Sequence, residues 1–139
     1  MAEQRQSTGQ LQCVVVTPEA TVVDTTAQFV ALPLYDGELG IAPLHSPMIG
    51  RLGYGELRIE SGGQTSVYYV DGGFVQVANN VVSILTNRAM KADQVDPAAA
   101  NERLQQAIRR PSNTDELAMI RDRQIAQSRA QLRVARRAK

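Results

Sequence analysis

The chain has 139 residues, enough for one ordinary domain or for a small domain with an appendage. Apolar residues make up 43%, which indicates a globular rather than a disordered protein. Cys13 is the only cysteine, which excludes an intramolecular disulfide and a cysteine-based metal site. Residues 1–114 hold 8 Lys/Arg and 11 Asp/Glu, whereas residues 115–139 hold 7 and 3. This charge asymmetry predicts a basic tail with an acidic partner.

The N-terminal segment and the hydropathy pattern bear on location. Met1–Ser7 contains neither an apolar core segment nor an excess of arginine, so we expect neither a signal nor a transit peptide. We expect residues 1–10 to be disordered. No apolar run approaches the ~20 residues that a membrane span requires, so the protein is expected to be soluble and to reach a membrane only through another protein.

From residue 11 to residue 86 the pattern is that of a sheet. Short apolar runs rich in Val, Ile, Thr and Tyr are separated by turn residues. In Leu57–Glu60 apolar and polar residues alternate, which indicates one buried and one solvent-facing side. Cys13 lies within the first run, and we interpret it as a buried strand thiol. Strands are predicted at Leu11–Val16, Ala20–Val23, Ala27–Leu32, Glu56–Glu60, Ser66–Val70, Phe74–Val77 and Val81–Leu85.

Glycine and asparagine mark the predicted connections. Ser61–Gln64 contains two glycines, which tolerate the positive φ of a tight hairpin turn. Asn79–Asn80 predicts a second hairpin turn. Gly53, Gly55 and Gly72–Gly73 are likewise predicted to lie in turns between strands, and none of these glycines belongs to a phosphate-binding or dinucleotide-binding motif.

At Arg88 the composition changes to the helix formers Ala, Gln and Arg. We therefore predict a β-sandwich domain over residues 1–87 and a helical domain over residues 88–139. Asp96-Pro97 is a strong helix start, with Asp as the N-cap and Pro at the first helical position, and the first helix is predicted to end near Arg109. Its single apolar stripe consists of Ala100, Leu104, Ala107 and Ile108.

A second helix is predicted to run to about Arg137, with a length of ~35 Å. Ser112–Asp115 resembles a capping box with Asp in place of Glu. The short connection predicts an antiparallel helical hairpin. The apolar side of the second helix is predicted to contain Leu117, Arg121, Ile125, Ser128, Leu132 and Ala135. Because few of the hairpin's apolar residues are large, we expect it to dock weakly on the β domain.

No catalytic constellation is present in the sequence. His45 is the only histidine, so a histidine metal site lacks partners and a serine triad lacks its nucleophile motif. We interpret His45 as a loop residue with a structural hydrogen bond. Asp36, Glu38 and Asp71 are turn residues beside glycines. The basic tail has no aromatic residue for stacking a base, so nucleic-acid binding is not expected.

The segment Pro33–Pro47 closely resembles the Gly-Glu-x-Gly-Ile…Pro-x-His-x-Pro segment of the epsilon subunit of F-type ATP synthases, of the bacterial or plastid type. Leu52–Ile59 is similar to the next strand of that family, and Gly72–Val77 is similar to its Gly-Gly-Phe-x-x-Val turn and strand. Val82–Thr86 resembles the last strand before the helices. Ala130–Val134 is similar to a run in the final helix.

The resemblance implies a mainly β protein with a helical part: a flattened β-sandwich of about ten strands, followed by an antiparallel hairpin of two helices. It implies a non-catalytic rotor subunit in the central stalk of a proton-translocating enzyme, without a cofactor. The sandwich would bind the gamma subunit, and a loop containing Glu38 and His45 would face the ring of c subunits. The location implied is peripheral, on the cytoplasmic face of the bacterial inner membrane.

The resemblance also implies that the helices extend into the catalytic alpha/beta head and inhibit ATP hydrolysis. The cationic side chains available for that contact are Arg121, Arg123, Arg129, Arg133, Arg136 and Arg137. Some family members bind ATP at an Ile/Leu-Asp-x-x-Arg-Ala segment. Here Asp96 is retained but Ala99 replaces the arginine, so we do not predict nucleotide binding and assign Asp96 to the helix cap.

Two other functions fit the sequence without the resemblance. The first is a free-standing β-sandwich binding module with a helical dimerisation tail, which predicts a homodimer without membrane attachment. The second is a small hydrolase that uses His45, which predicts loss of activity in His45→Ala. A further hypothesis for the arginines is that they form a solvated helix face with no partner.

Overall fold

The computed structural model describes residues 9–138. Of residues 1–10, which were predicted to be disordered, residues 1–8 lie outside the described residues. The described part contains eight strands, a short 3-10 turn and two α-helices. In chain order they are β1 (Leu11–Val16), β2 (Thr21–Ala27), β3 (Phe29–Leu34), β4 (Gly37–Ile41), β5 (Met48–Ser61), β6 (Gln64–Ala78), β7 (Val81–Leu85), β8 (Ala89–Lys91), the 3-10 turn (Ala92–Gln94), α1 (Pro97–Ile108) and α2 (Asp115–Arg137).

The strands form one hydrogen-bonded sheet in the order β2-β1-β7-β6-β5-β3-β4, with β8 beside β6. β5 and β6 pair from Met48↔Val77 to Ser61↔Gln64 and so belong to both layers of a flattened sandwich. One layer contains β2, β1 and β7, and the other contains β4, β3 and β8. The predicted architecture is confirmed, but there are eight strands rather than about ten. Two runs that were predicted as separate strands, 66–70 and 74–77, form the single strand β6.

The glycines inside β5 and β6 correct the prediction that they lie in turns. Gly53 and Gly55 are within β5, and Gly72–Gly73 is within β6. Gly73 has a φ of +110°, and a Cβ there would overlap the backbone carbonyl of Leu85. Glycine at such positions permits close backbone approach and bending of a long strand. This is why a single strand can serve both layers.

The two predicted hairpin turns are confirmed. Gly62 and Gly63 have φ values of 60° and 79°, and Asn79 and Asn80 have φ values of 54° and 61°. Both pairs therefore have the two consecutive positive φ angles of a tight hairpin turn. The second turn also holds the β4–β5 loop, because the Leu44 amide donates to Asn80 Oδ1 at 2.6 Å.

The core lies between the two layers and is built from aliphatic side chains. Val15, Val30, Leu57 and Ile84 are each 0% exposed. Cys13 is also fully buried, which confirms its interpretation as a strand thiol. Burial, with a smaller contribution from the charge of Asp24, raises the pKa of Cys13 to about 12. The thiol is therefore held in its neutral form.

The helix starts follow local side-chain chemistry. Asp96 Oδ1 accepts hydrogen bonds from the amides of Ala98 at 3.0 Å and Ala99 at 3.3 Å, which confirms Asp96 as the N-cap of α1. The predicted capping box at 112–115 is wrong, because the N-cap of α2 is Thr114, whose Oγ1 accepts from the Leu117 amide at 3.1 Å. Asp115 is then the first helical residue, whereas a capping box needs the residue three positions after the N-cap to accept a hydrogen bond from the N-cap amide. No helix within residues 9–138 is long and apolar enough to cross a membrane.

Candidate interaction surfaces

The outer side of the β2-β1-β7 layer carries large apolar side chains in solvent. Ile49, Phe74 and Leu85 are 76%, 59% and 54% exposed. Phe74 lies directly opposite Leu85 on β7, and Leu85 is in register with Val16 on β1. Ile49 is two residues along β5 from the residue opposite Phe74, so its side chain is on the same side of the sheet. Residues opposite each other on neighbouring strands share a face, so these four side chains form one patch. We call this patch, Val16, Ile49, Phe74 and Leu85, the apolar sheet face.

None of these residues was among the candidates drawn from the sequence. The available signal is the alternation along β6 and β7, where Val75 and Ile84 are buried while their neighbours Phe74 and Leu85 are exposed. In an alternating strand, an apolar residue at a position that faces away from the core indicates that the outer side of the sheet is also apolar. Contiguous exposed apolar patches of this kind are typical of protein–protein contact sites.

The structure places Glu38 and His45 on different parts of one edge. Glu38 is on β4, with its side chain 57% exposed and 3.6 Å from Arg58 Nη1. His45 is in the loop after β4, and its Nδ1 lies 2.7 Å from the carbonyl oxygen of Ser46. This contact confirms the predicted structural hydrogen bond. Among residues 9–138 no hydrogen bond or ion pair joins Glu38 to His45.

The helical hairpin docks through the second half of α2 on the outer side of the other layer. Ala130, Val134 and Ala135 are at most 2% exposed and pack with Tyr69 of β6 and Val95. The apolar side predicted for α2 included Ala135, but it was wrong to omit Ala130 and Val134, which are buried. Of the larger predicted residues, Ile108 is 41% exposed. The contact with the sheet is therefore made by small side chains, which agrees with weak docking.

A polar network joins the same helix to β6. Asp71 Oδ1 accepts hydrogen bonds from the Tyr69 hydroxyl at 2.8 Å and from Gln127 Nε2 at 3.0 Å. The Asp71 amide donates to Thr86 Oγ1 at 3.0 Å. Burial, and then the neighbouring Asp71 carboxylate, raise the pKa of Tyr69 well above its ordinary value. The Tyr69 hydroxyl therefore remains a donor to Asp71.

A series of ion pairs, called the ionic chain below, connects the end of α2 to the sheet. Arg137 Nη1 lies 2.9 Å from Glu56 Oε1, which is also 3.2 Å from Arg58 Nη1. Arg58 in turn approaches Glu38. Arg137 is 62% exposed, so its pair with Glu56 is worth at most about 1 kcal/mol.

The six arginines proposed for the tail do not share one environment. Arg121 pairs with Asp122 at 3.2 Å, Arg136 is exposed, and Arg137 takes part in the ionic chain. The remaining ones, Arg123, Arg129 and Arg133, line a cleft of about 1060 Å³ between α2 and the end of β3 and the middle of β5.

A smaller polar pocket of about 300 Å³ lies between the two helices and β6. It is lined by Arg88, Arg103 and Arg110 together with Asp71 and several glutamines. Arg103 donates to Gln131 Oε1 at 2.6 Å and so ties α1 to α2 across the pocket. No three His, Cys, Asp or Glu side chains among residues 9–138 converge on a potential metal site.

Comparison with known proteins agrees with this architecture. The family model described as "ATP synthase, Delta/Epsilon chain, beta-sandwich domain" matches residues 10–92. The ATP synthase epsilon chain of Rhodopirellula baltica is 49% identical over 126 residues, which cover 91% of this chain and 98% of that protein. The ATP synthase epsilon chain of a Synechococcus species is 41% identical over 93 residues, covering 67% of this chain and 68% of that protein.

Solved structures share the fold at lower identity. A chain in the cryo-EM structure of the Euglena gracilis mitochondrial ATP synthase, OSCP/F1/c-ring, has a TM-score of 0.81 at 19% identity, covering 91% of this chain and 81% of that chain. A chain in the Tetrahymena thermophila mitochondrial ATP synthase, central stalk and c-ring, has a TM-score of 0.73 at 14% identity, covering 94% and 99%. The resemblance drawn from the sequence motifs is confirmed by the relatives. The chain belongs to the ATP synthase epsilon-chain family, a family of non-catalytic subunits of that enzyme.

Proposed function

We propose that this chain works in the central stalk of a proton-translocating ATP synthase, where it links the gamma subunit to the c-ring and restrains ATP hydrolysis through its helical hairpin. Family membership supports the assignment to the enzyme. The observation that carries the proposed attachment to gamma is the apolar sheet face. Its three most exposed side chains, Ile49, Phe74 and Leu85, lie on three adjacent strands of the sheet.

The physical case for gamma binding rests on desolvation. Phe74 is an aromatic side chain that is 59% exposed, so its removal from water by a partner lowers the free energy of the complex. Central apolar anchors dominate protein interfaces, and truncation of one typically costs 2 kcal/mol or more. Phe74 has a large neighbour on each side, Leu85 on β7 and Arg51 on β5, which can exclude water around it.

Isothermal titration with purified gamma tests this attachment. We expect Phe74→Asp to weaken binding by at least about 30-fold, because a carboxylate would then be buried in an apolar contact. The matched control is Ile108→Asp, which alters an apolar residue that is 41% exposed on α1 and distant from the sheet face. Unchanged affinity of Phe74→Asp for gamma would overturn the proposed attachment.

For the c-ring contact we propose the β4 edge and the loop that follows it. Glu38 offers a charge on β4, and Leu44, which is 70% exposed, offers an apolar tip in the loop that also contains His45. This contact would hold the chain peripherally on the cytoplasmic face of a bacterial membrane as part of the enzyme. Co-purification of the chain with c-ring from membranes should fall in a Glu38→Lys/Leu44→Asp variant if the edge makes this contact, and unchanged co-purification would exclude it.

For the brake we propose that the hairpin leaves its docked position and that its arginines then meet acidic surfaces of the alpha/beta head. The small side chains of the docking contact, Ala130, Val134 and Ala135, support a hairpin that can detach. A chain that ends at Val95 should raise ATP hydrolysis by the assembled enzyme while retaining β8, which pairs with β6. Equal hydrolysis with and without the hairpin at low and high salt would refute the brake.

A further inference from the structure

The cleft beside α2 is a wedge-shaped space that the docked hairpin itself creates. Its β-domain wall includes Tyr35 and Arg51, and its helical wall includes Met119, Arg123 and Arg133. Residues 119, 123, 126 and 133 recur at helical spacing, so they present one side of α2. This side is turned neither toward α1 nor toward the buried contact with Tyr69. We call the space the cationic wedge, defined by Tyr35, Arg51, Met119, Arg123, Arg129 and Arg133.

The charge of the wedge is unbalanced. Arg51, Arg123, Arg129 and Arg133 face two acidic residues, of which Asp122 already pairs with Arg121 at 3.2 Å. Among residues 9–138 none of the four wedge arginines forms an ion pair. Arg51 instead lies over the Tyr35 ring, 4.2 Å from its centroid. Converging guanidinium groups without carboxylate partners favour an anionic occupant.

The wedge also has apolar character and the size for a protein segment. Met119 is 72% exposed and Tyr35 is 65% exposed at its mouth. A volume of about 1060 Å³ is at the upper limit of small-molecule pockets, and the cleft is open to solvent along the helix. An occupant that matches both features is amphipathic, with acidic residues toward the arginines and apolar residues toward Met119 and Tyr35.

The wedge is continuous with the apolar sheet face. Arg51 on β5 lies directly opposite Phe74 on β6, so the wedge begins where the sheet face ends. A protein that covers Phe74 therefore reaches Arg51 without leaving the surface. We propose that the cationic wedge receives an acidic, amphipathic segment of the same gamma subunit that covers the apolar sheet face, an inference that rests on the proposed function above.

This occupancy has a consequence for the hairpin. The wedge exists only while α2 is docked, because Arg123, Arg129 and Arg133 belong to the helix and Tyr35 and Arg51 belong to the β domain. A segment bound in the wedge therefore stabilises the docked hairpin. If the segment binds the docked state ten times more tightly than the undocked state, its binding raises the ratio of docked to undocked hairpin tenfold. The same three arginines cannot contact gamma in the wedge and the alpha/beta head at the same time.

The test measures the affinity of full-length chains for purified gamma. We expect Arg123→Glu/Arg133→Glu to lower the affinity at least about 10-fold at low salt, and Arg123→Gln/Arg133→Gln to lower it by a smaller factor. The control Arg109→Glu/Arg136→Glu makes the same change of net charge at exposed positions outside the wedge and should stay within about threefold. The wild-type affinity should fall with added salt more steeply than that of the wedge variant.

The outcomes separate the wedge from the proposed function. If Phe74→Asp abolishes gamma binding while both wedge variants bind as tightly as wild type, the wedge inference is wrong and the sheet face stands. If Phe74→Asp binds as wild type does, the proposed attachment itself fails. Equal losses in the wedge and control variants would show a general charge effect and overturn the inference. If the wedge variants lose binding to vesicles of anionic phospholipid but keep their affinity for gamma, the wedge binds lipid and the inference is wrong.

Discussion

Replacement of Val134 by aspartate is expected to detach the helical hairpin from the β domain. Val134 is 2% exposed and sits in the contact between α2 and the outer side of β6, where Tyr69 is fully buried beneath the helix. An aspartate there would have to bury a carboxylate among apolar side chains, or take up a proton at a cost.

The expected size of the effect follows from the residues in the contact. Ala130, Val134 and Ala135 together bury apolar surface worth about 3–4 kcal/mol before ordering entropy is subtracted. The hydrogen bond from Gln127 to Asp71 adds about 1 kcal/mol. Loss of the valine alone removes about 1.5–2 kcal/mol, and the buried carboxylate adds several kcal/mol. The ratio of docked to undocked hairpin should therefore fall by at least about 100-fold.

The assay is ¹H–¹⁵N NMR of the full-length chain. In Val134→Asp the amide signals of Tyr69 and Val95, which lose the cover of α2, should shift, while those of the core residue Leu57 should not. The control is Met119→Asp, which places the same charge on α2 at a position that is 72% exposed. If Tyr69 and Val95 keep their wild-type signals in Val134→Asp, the packing of Val134 against Tyr69 does not hold the hairpin in place.

Two further predictions concern the β domain. Gly73→Ala should lower the free energy of unfolding in urea by more than about 3 kcal/mol, because φ is +110° and the new Cβ meets the Leu85 carbonyl. Gly62→Ala, with φ of +60° and no atom within 4 Å of its Cβ, should cost only about 1 kcal/mol; equal losses would contradict this explanation. The raised pKa of Cys13, from 9.0 to about 12, means that the folded state keeps its proton while the unfolded state loses it. The contribution of the Cys13 thiol to the free energy of unfolding is therefore fully present below pH 9.0 and is lost as the pH rises toward 12. Between about pH 8 and about pH 10.5, wild type should lose about 2 kcal/mol more than Cys13→Ala in urea unfolding, and parallel losses would exclude the thiol as the cause.

Predictions from the sequence were most accurate where the controlling interaction is local. β1, β7 and the C-terminal end of α2 match their predicted bounds, and α1 ends one residue earlier than predicted. The tight turn at Asn79–Asn80 and the cap at Asp96 depend on backbone angles and side-chain oxygens within a few residues. The error at Gly72–Gly73 has the same origin. Glycine indicates freedom of φ, but a turn and a bend inside a long strand both require that freedom.

The interaction surfaces were much less accessible to sequence reasoning. Glu38 and His45 were proposed from family motifs, and their contact with a c-ring stays a prediction. Of the arginines in the tail, only a tertiary arrangement distinguishes Arg137, which pairs with Glu56, from Arg123, which lines the wedge. All of them have the same charge and similar spacing along α2, so no local pattern separates them.

The sequence by itself determined the type of most elements, the change from strands to helices toward the C-terminus and the family, but it predicted neither β4 nor β8. Only the tertiary structure decided which surfaces are exposed. Phe74 is in solvent and Tyr69 is buried although both lie on β6, because the strand pairs in two layers and α2 covers one of them. Likewise Ala130 and Val134 are buried because Tyr69 of β6 packs against them. Burial depends on which distant segments pack together, and a residue's own neighbours in the chain do not encode that choice.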